Sequence, residues 1–128
     1  MAGTLAVTYS ETRTIKKVTL DWLSAADGSC TGNTRTLSGQ ILRVVFVPDS
    51  GDTQPSNLYD VLLNDADSLD VLAGLGANLS NAASSQVVPV VTNGTAGNMA
   101  PMAVDGILSL AVANGGNAKG GQVILYMR

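Results

Sequence analysis

The sequence predicts an all-β protein: an antiparallel β-sandwich or small β-barrel of about seven or eight short strands with long Gly/Asn/Ser loops. Two observations predict this class. Apolar residues recur mostly with the two-residue period of a strand, and runs of glycine, asparagine and serine separate the apolar segments. A chain of 128 residues is too short for two good cores, so we expect a single β domain over residues 1–128.

The amino-terminal segments show the strand period most simply. Two sets of apolar residues occupy every second position: Leu5, Val7 and Tyr9, followed by Val18, Leu20 and Trp22. The polar stretch between them leaves two interpretations, one long bent strand or two separate strands. Residues 1–13 are accordingly expected to form either a strand or an extended amino-terminal arm.

The middle of the chain predicts two further strands. Residues 24–38 are small or polar almost throughout and are expected to form a loop. Residues 39–47 follow, and their core is apolar on both faces apart from Arg43, which favours a central strand packed on two sides. Pro48 ends that strand because proline cannot donate to a sheet ladder. Residues 58–63 predict the next strand.

Residues 67–79 are expected to form a short helix. Asp67 or Ser68 supplies a suitable N-cap, since a short polar side chain can accept hydrogen bonds from the first free N–H groups of a helix. Gly74 and Gly76 argue against a long helix, because each costs about 1 kcal/mol relative to alanine in a helix interior.

The last third of the chain predicts three more strands. Residues 86–91 form a short one, which Pro89 pushes toward a sheet edge. Residues 92–101 are expected to form a loop with a turn at Asn93-Gly94. Residues 106–127 then predict a C-terminal β-hairpin, two apolar strands joined by a glycine-rich loop.

Composition removes most enzyme chemistry. The chain has no histidine and a single cysteine, Cys30, so it has no Ser-His-Asp or Cys-His arrangement, no histidine-based zinc site and no intrachain disulfide. A net charge of −3 gives no basic footprint for nucleic acid. No apolar run is long enough to span a bilayer. We therefore expect no catalytic residues, no cofactor, no nucleic-acid partner and no membrane partner.

One acidic cluster raises the question of a metal. Asp65 and Asp67 resemble the opening of a calcium loop, in which carboxylates at alternate positions converge on one ion, and Asp70 offers a third carboxylate for a looser site. An EF-hand loop starting at Asp65 fails, because Leu69 then stands where an oxygen ligand is needed. Two interpretations remain open: a looser calcium site, and a solvated turn without metal.

Interface candidates lie near the amino terminus. Residues 2–9 offer a strand that can pair with a neighbour's sheet edge, with three candidate contact residues: Leu5, Val7 and Tyr9. The one basic cluster consists of Arg13, Lys16 and Lys17. It is expected either to discourage aberrant pairing at a strand edge or to form salt bridges with an acidic neighbouring subunit.

Two parts of the chain resemble small virion proteins of tailed bacteriophages. The first part contains SGQILRVVFVP (38–48), YDVLLND (59–65) and DVLAGLGAN (70–78). The second contains VDGILSL (104–110) and GNAKGGQVILY (116–126). A short β-rich chain with few aromatic residues is also similar to such proteins. No catalytic motif accompanies the resemblance, so no site residue is carried over.

The resemblance implies a structural component of the virion, and chain size and β content are most similar to capsid decoration, or cement, proteins. Such a protein would be made in the host cytoplasm and bind the major capsid protein on the outer capsid surface as a homotrimer. Two alternatives stay open. One is a tail or head–tail connector ring protein, with the 106–127 hairpin between subunits. The other is a host-adhesion or carbohydrate-binding module, for which Trp22 is the candidate aromatic residue.

Overall fold

A computed structural model describes residues 3–92, 94–95 and 97–128, and in these residues the chain is almost entirely β. The one helical element among them is a 3-10 turn, Gly51–Thr53. Ten strands follow one another along the chain: β1 (Thr4–Glu11), β2 (Lys16–Leu23), β3 (Cys30–Asn33), β4 (Leu37–Pro48), β5 (Asp60–Asn64), β6 (Ser85–Val87), β7 (Val90–Thr92), β8 (Met99–Gly106), β9 (Ser109–Ala113) and β10 (Gly120–Met127).

The larger sheet contains seven antiparallel strands in the order β1-β2-β10-β4-β8-β7, with β6 also paired to β4. β4 is long enough to serve three neighbours. One of its edges pairs with β10, while the other pairs with β8 over Leu37–Ile41 and with β6 over Val44–Phe46. β10 therefore lies in the middle of the sheet, between β2 and β4.

The smaller sheet contains three antiparallel strands in the order β3-β9-β5. Backbone groups of residues 65–79, called here the β5–β6 loop, cover the outer edge of β5. Val61 N donates to Gly76 O at 2.7 Å, and Leu79 N donates to Tyr59 O at 2.8 Å. The backbone N–H and C=O groups at this edge of β5 are therefore hydrogen-bonded to the loop instead of to a further strand. Buried backbone groups require such partners.

The core lies between the two sheets. Both sheets contribute fully buried side chains to one hydrophobic cluster, among them Leu20, Trp22, Phe46, Leu63, Leu110 and Leu125. The described strands form two separate sheets, and neither closes into a barrel. Of the two architectures predicted from sequence, the structure is therefore consistent with the β-sandwich.

Several strand predictions are confirmed, and in β1 and β2 the predicted apolar face is the inner one. β1 and β2 are two separate strands that form a hairpin, in which Leu5 lies opposite Trp22. β4 is central in its sheet, and Pro48 is its last residue. On its outer face Val45 and Val47 are half-buried, Arg43 is exposed, and no described strand covers them, so the prediction of packing on two sides is only partly right.

The predicted C-terminal hairpin at residues 106–127 is wrong. β9 pairs with β3 and β5 in the smaller sheet, whereas β10 pairs with β2 and β4 in the larger one. The connection at residues 114–119 crosses from one sheet to the other. Two apolar segments with a glycine-rich connection are compatible with a hairpin and with such a crossing, so the local pattern does not distinguish them.

The predicted helix at residues 67–79 is also wrong: this segment consists of turns and isolated bridges. The carboxylate of Asp70 accepts hydrogen bonds from three backbone N–H groups, those of Leu63, Leu72 and Gly74. Asp70 thereby ties the segment to β5, and its side chain replaces the partners that a helix would provide.

Two strands were not predicted, and one prediction was too long. β3 lies in the expected loop 24–38, and β8 begins inside the expected loop 92–101. The predicted strand at 86–91 is divided into β6 and β7, with Val88 and Pro89 between them. Of the predicted turn at Asn93-Gly94, Asn93 lies outside the described residues, as does Ala2 of the predicted interface strand.

Tyr59 gives the core a measurable pH response. Burial, with a smaller contribution from the charge of Asp49, raises the pKa of Tyr59 from 10.0 to about 12. Because the folded-state pKa lies above the unfolded one, the stabilisation is complete below about pH 10 and is lost as the pH rises to about 12. We expect the free energy of unfolding to fall across this range by an amount on the order of 2 kcal/mol.

Urea unfolding between about pH 9 and pH 12 measures this loss, with Tyr59→Phe as the comparison. The variant has no phenol to ionise, so its stability should fall less over the same range. Parallel curves for the two proteins would contradict the assignment.

Candidate interaction surfaces

The three amino-terminal interface candidates mainly serve the chain's own core. Leu5, Val7 and Tyr9 are half-buried on the inner face of β1 and pack against the hydrophobic cluster. The Tyr9 hydroxyl accepts a hydrogen bond from Arg35 N at 2.8 Å, and the Arg35 guanidinium lies 4.0 Å from the centre of the Tyr9 ring. These residues face the second sheet, so a partner would meet the opposite face of β1 or its free edge.

The three residues of the basic cluster lie in three different places. Arg13 is exposed in the β1–β2 turn, and the Lys16 ammonium donates to Ser38 O at 2.7 Å. Lys17 lies on the outer face of the larger sheet, with its ammonium 5.9 Å from the centre of the Tyr126 ring. The residues adjacent in sequence thus contribute to different surfaces.

The acidic cluster uses its carboxylates to organise the β5–β6 loop. Asp65 Oδ1 accepts from Asp67 N at 2.9 Å and from Leu69 N at 3.1 Å. Asp70 is bonded to backbone N–H groups as described above. No group of three or more acidic, cysteine or histidine side chains in the described residues is arranged to hold a metal ion. The geometry therefore supports a hydrogen-bonded turn here and gives no support to calcium.

The pKa values of two other groups, Asp27 and Cys30, are shifted by their immediate surroundings. Side-chain and backbone hydrogen bonds from Ser29 lower the pKa of Asp27, whose carboxylate they stabilise in a turn. Burial raises the pKa of the Cys30 thiol, and its Sγ lies 3.3 Å from Thr4 O. A raised pKa disfavours the reactive thiolate, so Cys30 acts as a buried apolar residue at the junction of the two sheets.

The β7–β8 hairpin extends beyond the core. At its distal part, Val90–Thr92 pair only with Met99–Pro101, and the side chains there are mostly exposed. We call residues 88–101 the arm. Val88, Val91 and Met99 of the arm are 52%, 47% and 62% exposed. The chain has no charged residue from 71 to 104, so the whole arm is uncharged.

The outer face of the larger sheet carries a cationic cluster at one end. The guanidinium of Arg43 lies 4.9 Å from the centre of the Tyr126 ring, and its Nε donates to Gln86 Oε1 at 2.7 Å. Lys17 approaches the same ring as described above. Neither Lys17 nor Arg43 forms an ion pair with a described residue. The single salt bridge among the described residues joins Arg35 to Glu11.

A β-bulge determines where Arg43 points. Ile41 pairs with Met127 and Arg43 pairs with Tyr126, so Leu42 is an extra residue in β4. The extra residue reverses the alternation of the strand, so that Ile41 and Val44 are both buried while Arg43 faces outward. Two shallow grooves flank the Arg43–Gln86 pair, one of them lined by Leu42, Val87 and Val88.

Cross-strand register arranges the outer face in three rows. The first row contains Ala6, Asp21, Gln122 and Val47; the middle row contains Thr8, Thr19, Ile124, Val45 and Gln86; the third contains Ser10, Lys17, Tyr126 and Arg43. The first row thus contains one acidic residue, Asp21, the middle row contains the apolar residues Ile124 and Val45 among polar ones, and the third row contains two basic residues, Lys17 and Arg43. The three rows of this face are not predictable from one strand alone, although the alternation in residues 16–23 already separates Lys17 and Asp21 from the core residues.

No protein-family model matches the chain, and no curated protein matches it significantly. In the described residues, no helix has the length and apolar character needed to cross a membrane.

Proposed function

We propose that this chain is a non-enzymatic structural protein of a bacteriophage virion, a capsid decoration protein that binds the major capsid protein on the outer surface of the shell. The arm is the observation that carries the proposal. It exposes apolar side chains on an uncharged hairpin that extends from the sandwich, which suits docking on another protein. A clamp needs an extended complementary surface rather than a pocket.

Two further observations support a structural role. The chain lacks histidine, and the carboxylates of Asp65 and Asp70 are engaged by backbone N–H groups. The resemblance to small phage virion proteins supplies the capsid partner and the homotrimer, which we propose for the shell-bound protein. The virion is accordingly the proposed location.

The structure does not present the features that the connector-ring and host-adhesion alternatives were expected to use. A connector ring was expected to use the 106–127 hairpin, but the strands of that segment belong to different sheets. A host-adhesion or carbohydrate-binding module was expected to present Trp22, but that side chain is 1% exposed. The decoration proposal depends on neither feature.

The arm predicts a specific effect on shell binding. We expect the double variant Val91→Asp/Met99→Asp to bind capsid shells at least about tenfold more weakly, because two carboxylates must then be buried against the shell. Shells that lack the protein, prepared from the phage that encodes it, are mixed with purified protein and sedimented. The bound fraction against concentration gives the dissociation constant.

Leu69→Asp is the matched control, since Leu69 is 65% exposed in the β5–β6 loop and lies outside the arm. It should bind like the unmodified protein. Failure of the unmodified protein to bind shells would overturn the proposed function. Binding that is unaffected by the arm variant would overturn the role of the arm.

A further inference from the structure

The outer face of the larger sheet is charged in a self-complementary way. Asp21 stands at one end of the exposed face of β2 and Lys17 at the other. Four residues along a strand span about 13 Å, so the two side chains cannot pair within one chain. Both are exposed, and neither forms an ion pair with a described residue. Asp21 and Lys17 are therefore both without an ion-pair partner among the described residues of their own chain. The same face of a second molecule carries the opposite charge that each of them needs.

Two apolar residues lie in the row between these charges, next to the polar residues Thr8, Thr19 and Gln86. Ile124 of β10 and Val45 of β4 occupy the middle row and are half-buried, with no strand of the described chain packed over them. Sheets that cover such faces stack about 10 Å apart with nearly aligned strands. An occupant of this face therefore has to be apolar in the middle and charged oppositely at each end.

We infer that this face is the contact between two copies of the chain, which stack their larger sheets through a two-fold axis running across the strands. Such an axis places each strand over the same strand of the partner, in the reverse direction. Asp21 of each copy then lies over Lys17 of the other, forming two equivalent ion pairs. Ile124 meets Ile124, and Val45 meets Val45.

The positions of the charges favour this arrangement over a second one, in which the strands of the two sheets are also aligned. A two-fold axis running along the strands keeps β10 over β10 but places β2 over β4. Lys17 of one copy would then face Arg43 of the other, and like charges opposed across an interface are unfavourable. The twist between stacked sheets leaves Asp21 and Lys17 within reach, because both lie only one strand from the central β10.

The inference does not rest on the proposed function, since the contact forms between free molecules. It also leaves the arm available to a different partner, because β7 and β8 contribute no residue to the three rows.

A charge swap tests the pairing. The variants Asp21→Lys and Lys17→Asp each oppose like charges at both symmetric positions, and we expect each to raise the dimer dissociation constant at least about tenfold. The double variant D21K/K17D restores opposite charges across the axis and is expected to return within about threefold of the original value. Sedimentation equilibrium measures all four proteins at low salt, where such pairs are least screened.

A second variant tests the apolar residues of the middle row. Ile124→Lys places two ammonium groups against each other on the axis and should abolish the dimer, while Leu62→Lys, on the outer face of the smaller sheet, should leave it intact. Circular dichroism melting shows that each variant is folded. The expected mass is twice the 13.0 kDa of one chain. A mass of one or three chains at about 100 µM would overturn the inference, as would a double swap no better than the single variants.

Discussion

Gly76→Ala is expected to lower the free energy of unfolding by about 3 kcal/mol, because the added methyl group has no room. A Cβ at Gly76 would overlap the carbonyl oxygen of Val61, which is backbone and cannot rotate away. The Leu72 side chain lies 3.1 Å from the same point. Relief would require moving the loop off β5, which breaks the bond from Val61 N to Gly76 O. Urea unfolding followed by Trp22 fluorescence measures the change.

Gly74→Ala is the matched control, two residues earlier in the same loop. A Cβ at Gly74 meets no described atom within 4 Å, although its φ of +78° is unfavourable for alanine. The expected loss is about 1 kcal/mol, from backbone strain alone. Equal losses for the two variants would show that the close approach to Val61 does not determine the effect.

Trp22→Ala is expected to destabilise the protein by about 4 kcal/mol, in the range found when large core aromatics are removed. The indole is 1% exposed and its ring centre lies 5.5 Å from that of Tyr59. The backbone packs closely against the indole at two glycines. Cβ atoms added at Gly115 and Gly121 would lie 3.2 Å and 3.1 Å from the indole ring. Such a site collapses poorly, so a cavity persists.

Trp22→Phe separates the volume of the ring from its polar group. In the described chain Trp22 Nε1 is buried and has no hydrogen-bond partner, so its removal costs no bond. We expect a loss of about 2 kcal/mol, due to the smaller ring. Trp22 is the only tryptophan, so both variants require circular dichroism instead of fluorescence. A loss for phenylalanine as large as for alanine would refute the cavity explanation.

The sequence predicts the faces of strands well where apolar residues alternate. Val18, Leu20 and Trp22 are buried together, as the two-residue period requires. β8 was missed because Met99, Ala100 and Ala103 of this strand are all exposed, so no alternation marks its first part. The β4 bulge likewise hides the exposure of Arg43 within an apolar run.

Pairing partners are less predictable than strands, because they depend on residues distant in the chain. The segments 106–113 and 121–127 were correctly predicted to contain strands but wrongly paired, since their sheets are specified by contacts with β3, β5, β2 and β4. To predict the outer face of the larger sheet, both the side that each residue faces and the pairing of the strands must be known. Tyr126, Lys17 and Arg43 meet only because β10 lies between β2 and β4.

The position of β10 also has a consequence for biosynthesis. β2 and β4 are made early, but the strand that joins them begins at Gly120. Translation at roughly 5–20 residues per second leaves the nascent chain for several seconds with β2 and β4 unjoined. During that time their facing edges are available for pairing with other chains. Because pairing between strands distant in sequence is intrinsically slow, we expect the insertion of β10 between β2 and β4 to be a late step of folding.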